Sequence, residues 1–179
     1  MKSRIAYGAF GLALVGSLAL APIGEVSVTP VVKDDTHIFA SFAAPGAFDE
    51  DARKVVRSGL LLTFTYTIDL SRPSAIWFDH RLCSATVGAS VTFDSLTSRY
   101  QAQKRDGHVT RSGHLEKEND VRDWLTTFDQ VPLESCEPLE PNVDYYVRVR
   151  LRTSPRASFP LWPFWRDDAS GRKDFTYIR

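Results

Sequence analysis

Apolar and polar positions alternate with a period of two through the middle of this chain. Between 59 and 71, Leu60, Leu62, Phe64, Tyr66, Ile68 and Leu70 share one parity. Thr63, Thr65, Thr67, Asp69 and Ser71 share the other, and Leu61 is the apolar exception. That pattern predicts a strand with one buried and one wet face, since a helix would wrap these apolar residues all round. The run 75–93 repeats it, with Trp77, Cys83, Ala85, Val87, Ala89, Val91 and Phe93 on odd positions. Asp79 and Arg81 interrupt this run and predict a bend or bulge there. Polar arms 100–104 and 108–112 flank Asp106-Gly107, a two-residue hairpin signal, so the hairpin should project from the core. In 144–153, Tyr145, Val147, Val149 and Leu151 face one way and Tyr146, Arg148, Arg150 and Arg152 the other. A last strand is expected over 174–178.

Two segments read as helices. In 49–58, Asp49 can cap, acids fill the first turn, bases follow, and Gly59 can take the left-handed position after the end. That charge run is helix-end chemistry rather than a metal site. Near 120–130, Val121, Trp124, Leu125 and Phe128 fall at i, i+3, i+4 and i+7, with Asn119 or Asp120 as cap and Val131-Pro132 as stop. Alternating strands with too few helices for parallel crossovers give the fold class: all-β with minor helix, an antiparallel β-sandwich, immunoglobulin-like or similar. One such domain is expected over 36–179, with 22–35 a linker or first strand.

The N-terminus bears on compartment. Lys2 and Arg4 precede an uncharged run from 5 to 21 that ends Ala19-Leu20-Ala21. Small residues at −3 and −1 suit signal peptidase, so 1–21 reads as a secretory signal. Pro22 disfavours a cut after Ala21, and a cut after Ala19, with Ser17 at −3, is the alternative. The rival is a retained membrane anchor, because about 17 residues is the lower limit for crossing a bilayer. Either way the bulk of the chain is expected outside the cytoplasm, periplasmic or bound to the cell envelope.

The whole chain of 179 residues is neutral, with 22 basic and 22 acidic side chains. The distribution is uneven: 12 basic and 18 acidic residues lie in 22–143, and 8 and 4 in 144–179. Aromatics at 12% and only moderate polarity argue against disorder, and nucleic acid is not an expected partner at zero net charge. Cys83 and Cys136 fit an oxidising compartment. A bridge would close a loop of about fifty residues and stabilise by on the order of 3–4 kcal/mol. The other reading is two small buried hydrophobes.

Several short motifs stand in a definite order: Ser58-Gly59 after the first helix, then Trp77-Phe78-Asp79, then Phe93-Asp94-Ser95-Leu96-Thr97-Ser98-Arg99-Tyr100. The Tyr145-to-Arg150 strand and Phe159-Pro160 complete the series. Together they resemble a bacterial exported family filed as a domain of unknown function, number forty-three ninety, over roughly 36–179. The resemblance implies a small, β-rich envelope protein without assigned chemistry, and no catalytic residue carries over. The two cysteines and the Trp162-Pro163-Phe164-Trp165 run are not part of it.

Chemical motifs are lacking: the chain has no G-x-S-x-G, H-E-x-x-H, P-loop or G-x-G-x-x-G. His108 and His114 could share a hairpin with Glu116, yet exposed polar residues explain them. Asp79 and His80 are adjacent in sequence and should point to opposite faces. No catalytic, cofactor-binding or metal-binding residue is assigned and no cofactor is expected. Two surfaces remain. Arg148, Arg150 and Arg152 place three guanidinium groups about 7 Å apart on one strand face. They suit phosphate or carboxylate, unless acids such as Asp69 on a neighbouring strand absorb them. Trp162, Phe164 and Trp165 sit in a proline-broken, aromatic-rich segment that either lids the sandwich or forms a contact patch. The expectation is a non-enzymatic envelope protein that binds or scaffolds another envelope protein or a membrane surface. Its rivals are a membrane-tethered accessory subunit and a hydrolase with an unrecognised site.

Overall fold

In the computed structural model, residues 25–76, 78–107, 109–155 and 169–178 are described. The expected signal or anchor segment 1–21 and the residues Trp162, Phe164 and Trp165 lie outside them, as do Trp77 and His108. The chain forms an antiparallel β-sandwich with two short helices. Strands β1 (Ser27–Val32), β2 (Ile38–Ala43) and β7 (Thr127–Leu133) make a three-stranded sheet in the order β1-β2-β7. Strands β3 (Leu62–Arg72), β4 (His80–Asp94), β5 (Arg99–Asp106), β6 (Val109–Leu115), β8 (Val143–Ser154) and β9 (Ala169–Tyr177) make a six-stranded sheet, β6-β5-β4-β3-β8-β9.

The central strands obey the alternation. Leu62, Phe64, Tyr66, Ile68 and Leu70 are fully buried, and Val147, Val149 and Leu151 face them from β8. Phe42 and Phe128 cross from the small sheet to close the core on Tyr66, with ring centroids 4.9 and 5.2 Å away. Tyr66 also donates its hydroxyl to the Leu125 carbonyl at 2.9 Å, which ties the second helix to the sheet. Burial of the phenol raises its pKa. The alternation starts one turn of the pattern late, however: Leu60 is exposed beside Leu61, because both precede the first ladder pair, Leu62 with Val91.

Helix α1 (Glu50–Arg57) follows its sequence signals. Asp49 accepts from the Ala52 amide at 2.9 Å, and Gly59 takes φ +78° just beyond the Ser58 cap. Helix α2 (Glu118–Thr126) is shorter than the spacing suggested. It starts after Lys117, with no side-chain cap, so neither Asn119 nor Asp120 serves as one. Phe128 and Val131 are buried not as a helix face but as residues of β7. Two further differences arise in the long β4 run. Residues 73–76, 78 and 79 lie outside the sheet, so the strand starts at His80 rather than near Ala75. The expected irregularity is a bulge at Leu82, where Leu70 pairs with Cys83 but Ser71 with Arg81. That extra residue keeps both Leu82 and Cys83 buried. The hairpin closes on the pair Asp106–Val109, one residue later than Asp106-Gly107 would give, with Gly107 at φ +60°. Its arms extend the sheet edge, and Ala102 reaches the core. The last strand is longer than expected and begins at Ala169.

Cys83 and Cys136 form a disulfide, with Cα atoms 4.7 Å apart. It fastens the segment after β7 to the start of β4. At the opposite side, the two sheets meet where Glu25 bridges Ser170 in parallel. Gly171 allows that approach: a Cβ there would lie 1.9 Å from the Val26 carbonyl oxygen.

Candidate functional site

The outer face of the six-stranded sheet carries the polar parity of every strand. Its centre is hydroxyl-rich, because Thr63, Thr65 and Thr67 of β3 pair with Ser90, Gly88 and Thr86 of β4. Two shallow grooves run over this area. One, of about 470 Å³, is lined by Thr63, Thr65, Thr86, Gly88, Gln103 and Arg105 among others. The second, of about 280 Å³, continues it past Ser90, Thr92, Gln101 and His114. Gly88 keeps the floor low: a Cβ there would come 3.1 Å from the Phe64 carbonyl oxygen.

Register adds charge to the face. Arg148, Arg150 and Arg152 lie on β8 opposite Asp69, Thr67 and Thr65. Arg172 of β9 pairs beside Arg148, Arg81 of β4 beside Ser71, and Arg99 and Arg105 come from β5. Seven arginines on this parity face four aspartates, Asp69, Asp94, Asp144 and Asp174. By count of these described strand residues the face is positive, and Asp79 and Glu116 reach it from outside the strands.

The proposed absorption of the β8 arginines by Asp69 holds for one of them. Asp69 is buried at 6% exposure and accepts from Arg150 at 2.6 Å, and Arg81 stands 3.7 Å away. Arg148 instead lies over the Tyr146 ring, 5.2 Å from its centroid, and Arg172 covers the same ring at 3.7 Å. Tyr146 is thereby buried although it points outward. Its hydroxyl donates to Asp79 at 2.7 Å. That hydrogen bond, aided by the Ser74 amide and the charges of Arg172 and Arg148, lowers the Asp79 pKa. Arg172 also reaches Asp174 at 2.6 Å, which raises its own pKa. Arg152 is exposed on the same parity. The face therefore holds an aromatic ring clasped by two guanidinium groups, next to a buried carboxylate bound by a third.

His37 and His80 pair with carboxylates elsewhere. His80 Nε2 meets Glu137 at 3.0 Å near the disulfide. His37 Nδ1 lies 2.8 Å from Asp34, and the Thr36 hydroxyl approaches the same nitrogen at 3.3 Å. A hydrolytic triad needs carboxylate and hydroxyl on different ring nitrogens. Here both crowd one nitrogen, and Asp34 braces a turn by accepting from the Thr36 and His37 amides. Those amides and the His37 ring hold its pKa down. His114 pairs in register with Gln101 on the outer face. No group of three metal-ligating side chains occurs among the described residues.

Sequence reasoning found Arg148, Arg150 and Arg152, and the structure brings Arg172 and Arg81 to them. It missed the loop 73–79, whose Trp77-Phe78-Asp79 entered only as a motif. Ile76 and Phe78 there are 85% and 94% exposed. Asp79 closes the loop by accepting from the Ser74 amide at 3.1 Å.

Residues 23–163 match the family described as a domain of unknown function (DUF4390), so the chain belongs to that family. The match begins earlier and ends earlier than the sequence resemblance suggested. No curated protein and no solved structure matches the chain significantly.

Proposed function

We propose that this DUF4390-family protein is an exported, non-enzymatic binding module of the cell envelope, and that its contact surface is the outer face of the six-stranded sheet. The observation that carries the reading is the arginine cluster on β8 and β9, where Arg148 and Arg172 clasp Tyr146 beside the Asp69–Arg150 pair. Planar guanidinium groups on a rigid strand present paired N–H donors to phosphate or carboxylate. The partner groups are therefore anionic. The disulfide supports export, because such bonds persist in oxidising compartments.

The test uses the oxidised chain on phosphocellulose. Arg148→Gln with Arg172→Gln should elute at markedly lower salt than the wild type, while Lys54→Gln, on exposed α1, should not shift. Equal elution of all three proteins would refute the assignment.

The tethered reading keeps one observation in its favour. Strand β1 starts beside β9, and both strands run away from the end of the sheet that exposes Leu60, Leu61 and Leu96. A retained anchor would join the domain from that end. Mass spectrometry of the mature N-terminus separates the two: a chain starting after Ala19 or Ala21 removes the tether.

A further inference from the structure

We infer that the free edge of β6 is a self-association surface, and that its occupant is a second copy of this chain, paired antiparallel about a two-fold axis at Ser112. Strand β6 ends the six-stranded sheet, and among the described residues it pairs with β5 alone. Its register is unbroken over Val109–Leu115, and it holds no proline. An uninterrupted, exposed edge is a template for another strand.

The other edges are guarded. Strand β1 carries Pro30, and β7 carries Pro132 together with a positive φ at Gln130. The start of β9 is met by Glu25 and Val26, and Arg172, Lys173 and Asp174 fill its middle. With one unguarded edge per copy, pairing closes as a dimer rather than running on as a fibre.

The β6 sequence is complementary to itself. Two residues separate Asp106 from Val109, so that closing pair exchanges its main-chain hydrogen bonds within the hairpin. The main-chain groups of Thr110, Ser112 and His114 therefore point outward. An axis at Ser112 sets Ser112 opposite its equivalent and Thr110 opposite His114, which engages all three. Between them, Arg111 falls opposite Gly113 and Val109 opposite Leu115. Val109 is 59% exposed, and this register covers it at both ends of the contact. Like charges do not face each other, because Gly113 has no side chain and each Arg111 keeps its own Asp106 at 2.9 Å. An axis at Arg111 would set two arginines face to face, and one at Gly113 would leave Val109 and Thr110 without partners in the strand. Strands β8 and β9 lie at the far side of the sheet, so the dimer leaves the arginine cluster open and the two assignments stand or fall separately.

The experiment is sedimentation equilibrium of the oxidised protein, loaded up to about 1 mM. The weight-average mass of the wild type should climb with concentration toward twice the monomer mass. Ser112→Pro removes an outward N–H that the monomer does not use, and should weaken the dimer at least about tenfold. Ser112→Lys and Ser112→Asp each set like charges across the axis and should each weaken it at least about threefold, while their equimolar mixture should recover the wild-type mass. Both charged variants should melt like the wild type in dilute solution, because Ser112 is exposed. A wild type that stays monomeric throughout overturns the dimer. A dimer indifferent to Ser112→Pro overturns the β6 edge, and charged variants that associate as well alone as mixed overturn the axis.

Discussion

Gly171 offers the sharpest check on how the two sheets meet. Its missing Cβ is what lets β1 lie against β9, since the added atom would sit 1.9 Å from the Val26 oxygen and 2.8 Å from the Val26 carbon. Both are backbone atoms, so no side-chain rotation relieves the overlap. In Gly171→Ala the entry to β1 must retreat by about 1 Å, which a close-packed interior does not absorb freely. Val26, 3% exposed, then loses much of its burial, about 1.5–3 kcal/mol for a valine. The long Val26 amide bond to the Ser170 carbonyl, 3.4 Å, goes as well and adds about 0.5 kcal/mol. Reduced freedom of the unfolded alanine chain offsets about 0.5 kcal/mol. The net loss is about 1.5–3 kcal/mol, a fall in Tm of about 3–12 °C at this chain length. Thermal melts followed by circular dichroism read it. Gly46→Ala is the control, because nothing lies within 4 Å of its added Cβ. A Gly171→Ala melt within about 1 °C of the wild type would show that β1 does not dock here.

Other consequences follow from single contacts. Replacing both Cys83 and Cys136 by alanine should cost about 4 kcal/mol in urea unfolding, since the bridge closes a loop with separation 53; an unchanged midpoint would refute the bridge. Tyr66→Phe removes the hydroxyl that reaches the Leu125 carbonyl and should cost about 1 kcal/mol, with faster amide exchange confined to α2 and its junction with β7. The Asp79 carboxyl has a lowered folded pKa, chiefly from the Tyr146 hydroxyl, so its contribution is present above the ordinary carboxylate pKa and fades as pH falls through the folded value. Tyr146→Phe should therefore bring the acid-induced release of the loop 73–79 to higher pH, measured by limited proteolysis; an identical pH profile would contradict the brace.

Legibility in the sequence tracks locality. The strand around Tyr66 and the strand from Tyr145 show themselves because each spans both sheet faces with clean alternation over ten or so residues. Helix α1 shows itself because Asp49 and Gly59 mark its two ends with local chemistry. The three-stranded sheet does not, because β2 and β7 find each other across the whole core and Pro132 sits inside β7. Phe128 satisfies a helical spacing by coincidence, and the pairing of Phe42 with Phe128 decides otherwise. At the candidate site, period two alone ranks Arg148, Arg150 and Arg152 on one face. Adding Arg172 and Arg81 needs the register of four strands, and Arg150 holds Asp69 although Arg148 stands directly opposite it, because Arg148 lies over the Tyr146 ring. The loop 73–79 was hidden because Trp77 falls on the parity of the strand that follows it.

The most direct measurement is a backbone amide NMR titration of the oxidised protein with short-chain polyphosphate. The account predicts shifts at Thr65–Asp69, Arg148–Arg152, Arg172 and the loop 73–79, with β1, β2 and β7 unmoved. Shifts centred on β1, β2 and β7, or no saturable shift at any amide, would contradict it.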